Sequence, residues 1–104
     1  MYGSFYHLHP MQGQEQAVLD HLFRWEQDYL PCVTGYVGGY VFESVSAPGD
    51  IVVIVVFDSQ ADYTRTRDDP EQERLSQNLQ ELLEYDSEWN EGEITEIMGE
   101  LQGL

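Results

Sequence analysis

Lysine is absent from this chain. Its basic residues are Arg24, Arg65, Arg67 and Arg74, set against twenty Asp and Glu, and the formal charge is −16 over 104 residues. A phosphate backbone would be repelled by such a surface, so no nucleic-acid partner is expected. Binding to an anionic membrane surface is not expected, on the same ground. Cysteine is nearly absent too. Cys32 stands alone, so it can form neither an internal disulfide nor a cysteine-rich zinc site. It follows Pro31 and has no cationic neighbour to activate it, and reads as an inert small apolar residue. Long apolar runs are missing: the longest, Ile51–Phe57, has seven residues, where a membrane span needs about 20. No charged-then-apolar leader precedes Tyr2, so a cytoplasmic address is expected. No phosphate-cradling loop is visible either. Gly35, Gly38 and Gly39 fall among strand-forming residues, and no lysine follows them.

Acid excess without lysine has a physical reading. Self-repulsion at this charge density opposes the compact state unless counterions screen it. Carboxylates hold water and salt, whereas lysine stems expose apolar surface. The composition therefore suggests adaptation to high intracellular salt, with an ordinary acidic cytosolic protein as the other reading.

What is present suffices for one packed domain spanning 1–104. Apolar residues make up 41% and aromatic residues 12%, which excludes wholesale disorder. Tyr2–His9 reads as a first strand that ends at Pro10; Ser4, Tyr6 and Leu8 share one face, and Phe5, His7 and His9 the other. Gln14–Leu30 reads as a helix, with Val18, Leu22, Trp25 and Tyr29 at helical spacing and Pro31 as its stop. Val33–Val45 reads as a second strand whose glycines suggest a bulge or a close backbone approach. A Pro48-Gly49 turn joins it to a third strand, Ile51–Phe57. Asp58-Ser59 caps a short helical turn to about Arg67. Asp69-Pro70-Glu71-Gln72 then starts another helix, with Gln72 completing a capping-box-like pair. Tyr85–Gly92 is expected to be a polar loop holding Trp89, and Gly92–Met98 a fourth strand, with a tail from Gly99.

The order β-α-β-β-α-β describes an α+β, ferredoxin-like sandwich: a four-stranded antiparallel sheet with helices on one face. The third strand is apolar at every position, as in a strand covered on both faces. A single helix layer covers only one, so a homodimer packed sheet against sheet is expected.

Three segments resemble the antibiotic-biosynthesis-monooxygenase-like domains of the dimeric α/β barrel superfamily. They are Val33–Tyr40 with its glycines, Val56–Tyr63 running from strand into helix, and Asp69-Pro70-Glu71 followed by Leu82-Leu83 and Glu88–Glu93. Together with the element order they cover nearly the whole chain. The resemblance implies a dimeric barrel with a small-molecule pocket between each sheet and its helices. Some members of that group oxidise polyphenols with molecular oxygen and no metal or flavin, and others degrade haem. The first strand here lacks the asparagine of the haem-degrading pattern, and Ser59–Tyr85 contains no histidine, so haem turnover is not expected.

Several side chains are candidates for chemistry. His7 and His9 share a strand face and could abstract a phenolic proton, imidazole being suited to general-base work near neutral pH. Two ligands fall short of the three or four a metal requires, so no metal is expected, and the pair could equally be packing residues at a strand end. Trp25 and Tyr29, four apart on one helix stripe, could stack on an aromatic substrate or simply fill the core. Tyr63 could position a phenol or cap the helix base. Arg67 could hold an anionic group or belong to a solvated charge cluster. The sequence therefore points to a cofactor-independent monooxygenase acting on an electron-rich aromatic such as a hydroquinone, with His7 or His9 as base and Trp25, Tyr29, Tyr63 and Arg67 around the substrate. The other reading is a non-catalytic dimeric domain that binds a small molecule or another protein.

Overall fold

The computed structural model describes residues 1–47 and 49–95. Four strands, β1 (Tyr2–Leu8), β2 (Tyr36–Glu43), β3 (Ile51–Phe57) and β4 (Glu88–Glu93), form one antiparallel sheet in the order β2-β3-β1-β4. Helices α1 (Glu15–Arg24), α2 (Gln60–Arg67) and α3 (Pro70–Gln80) supply the other layer. This is the ferredoxin-like α+β arrangement, with the second crossover split into two helices.

Strand alternation sorts the side chains. Ile51, Val53, Val55 and Phe57 of β3 are buried, together with Tyr2, Ser4 and Leu8 of β1. They meet Val18 and Leu22 of α1, Tyr63 of α2 and Leu30 in one core. The intervening residues Val52, Ile54 and Val56 point to the opposite face, in register with His7, Phe5 and Gly3. Gly39 lies against the carbonyl of Ile54, where any Cβ would collide with backbone. The β2–β3 register slips between Tyr36 and Gly38, which is the bulge expected from the glycines.

Four local expectations need correction. The first helix is not regular to Leu30. Its α-helical part ends at Arg24, followed by a π-helical turn over Trp25–Tyr29 and a 3-10 turn over Leu30–Cys32. Pro31 does stop helical structure, but the last turns widen and then tighten before it. The second strand is shorter than Val33–Val45, because Gly35 turns the chain at φ +83° just before Tyr36. Asp69 caps α3 by accepting from the Glu71 amide, but Gln72 does not complete a capping box. Its side-chain oxygen is taken by the Trp25 indole, 2.7 Å away. Finally, β4 begins at Glu88 instead of Gly92, so Trp89 belongs to the strand. The apolar Ile94 and Ile97 drew the expectation toward the C-terminus, whereas the polar Glu88–Glu93 pairs with β1 from His7↔Glu88 to Tyr2↔Glu93. The rest of the expected strand from residue 96, and the tail from Gly99, lie outside the described residues.

Candidate functional site

A cavity of about 470 Å³ opens between the sheet and helices α2 and α3. Its floor is Tyr6 and Trp89, neighbours across β1 and β4, with Val55 and Phe57 of β3. The Tyr6 and Trp89 rings lie 6.4 Å apart. Trp25 forms one wall, Tyr63 and Thr66 the inner end, and Arg67, Glu73 and Asp86 bring charge to the lining. A smaller void of about 70 Å³ shares the walls Tyr6, Trp25 and Gln72 and reaches His21 and Leu22.

The local sequence explains how these groups are held. Ser59 caps α2 by accepting from the Asp62 amide, which places Tyr63 one turn in, facing the core. The Tyr63 ring is 3% exposed and packs against Tyr2 and Phe57, at 5.4 and 5.7 Å. Burial pushes its phenol well above the ordinary range, so it stays neutral and can donate a hydrogen bond. One turn further, Arg67 Nη1 donates to Glu91 Oε1 at 3.1 Å and its Nε to Asp68 at 3.3 Å. Glu91 in turn accepts from the Tyr2 hydroxyl at 2.6 Å. The guanidinium is thus anchored to β4 at the cavity wall.

Trp25 and Tyr29 both reach the first turn of α3. The indole donates to Gln72, and the Tyr29 hydroxyl donates to Asp69 Oδ2 at 2.7 Å. Tyr29's phenol is raised by burial first and then by this carboxylate; the same hydrogen bond, with the Glu71 amide, holds Asp69 below the usual carboxylate range.

The structure therefore brings together three of the six sequence candidates, Trp25, Tyr63 and Arg67, around one cavity. Tyr29 secures the α3 cap and does not line it. His7 and His9 lie on the other side of the sheet, because odd-numbered residues of β1 project away from Tyr6. Their rings pack against each other, tilted, with centroids 4.1 Å apart, beside Asp50 and Glu88. Tyr6 and Trp89 were not among the candidates. Alternation had already placed Tyr6 with Ser4 and Leu8, but which face meets the helices is a tertiary fact.

Solved structures share this α+β sandwich across nearly the whole chain. No family model matches the sequence, and no curated protein matches it. A Deinococcus radiodurans protein named as a candidate antibiotic biosynthesis monooxygenase superposes with a TM-score of 0.79 at 20% identity, over 95% of this chain and all (100%) of that one. A variant of SnoaB from Streptomyces nogalater, named as a cofactor-independent oxygenase, gives 0.80 at 14% identity, covering 94% of this chain and 97% of its own. A conserved protein from Methanosarcina mazei gives 0.79 at 11%, covering 90% and 92%. At these identities the likeness establishes the fold: the chain has the ferredoxin-like fold of the antibiotic-biosynthesis-monooxygenase-like domains. Among the described residues no helix is long and apolar enough to cross a membrane.

Proposed function

We propose that this chain is a small cofactor-independent monooxygenase of the cytoplasm, acting on an electron-rich aromatic of the hydroquinone class. The observation that carries this reading is the cavity itself: Tyr6, Trp25 and Trp89 offer aromatic surface for a planar ring, and Arg67 offers positive charge beside it. That the fold is shared with an oxygenase supports it. Arg67 stabilises the phenolate of the bound substrate, so its proton leaves to water more readily. The electron-rich anion then reduces oxygen directly. The stoichiometry closes without a cofactor. A hydroquinone and one O2 give a hydroxyquinone and one water, the ring supplying all the electrons. Tyr63, held neutral, donates to a substrate oxygen.

The test is oxygen uptake against a panel of hydroquinones and polyphenols in molar KCl. Uptake by the wild type, reduced about 10²-fold in kcat/KM by Arg67→Gln, is the expected result. Ligand binding that quenches tryptophan fluorescence without oxygen consumption would instead establish a non-catalytic binding domain. One observation favours that second reading. The polar groups best placed at the cavity are already paired, Trp25 with Gln72 and Arg67 with Glu91, and neither is a free base.

The same proposal includes a homodimer through the open sheet face. Tyr40 is 74% exposed on a single chain, Phe42 61%, Phe5 49% and Ile54 37%, and strand register places all four on the face away from the helices. A contiguous apolar row of this kind marks an association surface. A second copy fits because a self-complementary two-fold contact would cover all of it at once. Light scattering should give twice the chain mass, and Phe42→Glu should give the single mass.

A further inference from the structure

Across the sheet from the cavity, four residues from three separate segments converge at the end of β1. His7 and His9 come from β1 and the residue after its end, Asp50 from the turn before β3, and Glu88 from the start of β4. The His9 ring is held from several sides. The His7 ring packs against it, tilted by 40° with centroids 4.1 Å apart, and the Tyr85 ring, tilted by 33°, at 4.7 Å. Its Nδ1 is 3.0 Å from Asp50 Oδ1 in a hydrogen bond. A carboxylate accepts only, so Nδ1 carries the proton and, in the neutral ring, Nε2 presents its lone pair. That Nε2 is buried, has no hydrogen-bond partner among the described residues, and faces Glu88 Oε1 at 3.4 Å.

We propose that His7, His9 and Glu88 bind one divalent ion of the zinc class, with Asp50 as the residue that orients His9. A ligand atom from each of the three lies within 4.8 Å of the other two. For bonds of about 2.0–2.1 Å, two corners of a tetrahedron stand about 3.3 Å apart, close to the 3.4 Å between His9 Nε2 and Glu88 Oε1. Two imidazoles and one carboxylate suit zinc over magnesium or calcium, which prefer oxygen alone. The carboxylate–histidine pair formed by Asp50 and His9 is the outer-shell device that fixes a ligating ring's tautomer. Sequence spacing shows only two of these donors. Strand pairing of His7 with Glu88 supplies the third, and a turn that returns Asp50 to β1 supplies the carboxylate that orients His9. The ion would tie the end of β1 to the start of β4 and to that turn. It is independent of turnover in the cavity, on the opposite face.

Equilibrium dialysis of zinc against the untagged, chelator-stripped full chain tests this, with about 5 mM Mg2+ present to occupy scattered surface carboxylates. The expected result is one zinc per chain, with affinity reduced at least tenfold by His9→Gln and by Glu88→Gln. Asp50→Asn should weaken binding about 10–100-fold without changing the stoichiometry. Glu88 is 70% exposed, so its variant folds whatever the outcome for His9. Zinc should also raise the melting temperature of the wild type and not that of Glu88→Gln. Zinc that Mg2+ displaces, or that binds Glu88→Gln and His9→Gln as tightly as wild type, would overturn the proposal.

Discussion

His21 shows how much a single side chain depends on its neighbours. It lies on α1 and lines the smaller void with Leu22 and Leu75. Burial holds its pKa below the ordinary value, a nearby Arg24 adds to this, and a hydrogen bond to the Leu75 backbone opposes it. The unfolded chain therefore takes up this proton at higher pH than the folded one. Stability linked to His21 is complete above the unfolded value of about 6.5 and is lost as pH falls toward the lower folded value. Denaturant titrations of wild type and His21→Gln should show wild type losing ground relative to the variant between pH 7.5 and 5.5, both figures being about one unit either side of that value. A constant difference across that window would contradict the burial argument. At the same scale, Gly39 is legible from sequence as a close approach, and the structure names the obstacle as the Ile54 carbonyl.

The elements differ in how firmly they are held. Every inward-facing position of β3 is buried, whereas no residue of α3 is fully buried. That helix is secured at its start by the indole of Trp25 and the hydroxyl of Tyr29, and along its length by the partly buried Leu79. Local opening should follow this difference, with α3 amides exchanging at least about tenfold faster than those of β3. Trp25→Phe removes one half-buried hydrogen bond and should cost about 1–2 kcal/mol. It should also speed exchange in the first turn of α3 more than elsewhere. Equal acceleration throughout the sheet would show that Trp25 acts on the core as a whole and not on this junction. The π-helical turn over Trp25–Tyr29 belongs to the same scale. Helical spacing correctly puts Trp25 and Tyr29 on one side, but their roles diverge according to what α3 offers each.

For the whole molecule, charge and the open sheet face are the large facts. A formal charge of −16 without lysine should make stability strongly salt-dependent, since screening relieves repulsion among carboxylates. The melting temperature should rise continuously from dilute buffer to molar KCl. Equal values at both extremes would remove the argument for a high-salt habitat. Dimerisation would respond in the same sense, because two such chains repel until screened while their apolar faces attract. Salt-dependent light scattering on wild type and Phe42→Glu would separate the two effects.

Periodicity and local chemistry determined most of the architecture: the β-α-β-β-α-β order, the third strand to the residue, the caps at Ser59 and Asp69, and the bulge in β2. These are short-range consequences of side-chain alternation, helix-end hydrogen bonding and glycine's missing Cβ. The bounds of the polar strand β4 were not legible, because Glu88–Glu93, on the sheet edge, carries no apolar alternation. Three of the six candidate site residues meet in one cavity because α1 and α2 face the sheet side that carries Tyr6. The histidine pair does not, because strand alternation gave two faces of β1 without saying which one the helices would cover. Only tertiary structure decided that, by burying Leu8, Val53 and Val55 against α1 and α2. It also brought Asp50 and Glu88 to the histidines across sequence separations that no local pattern spans.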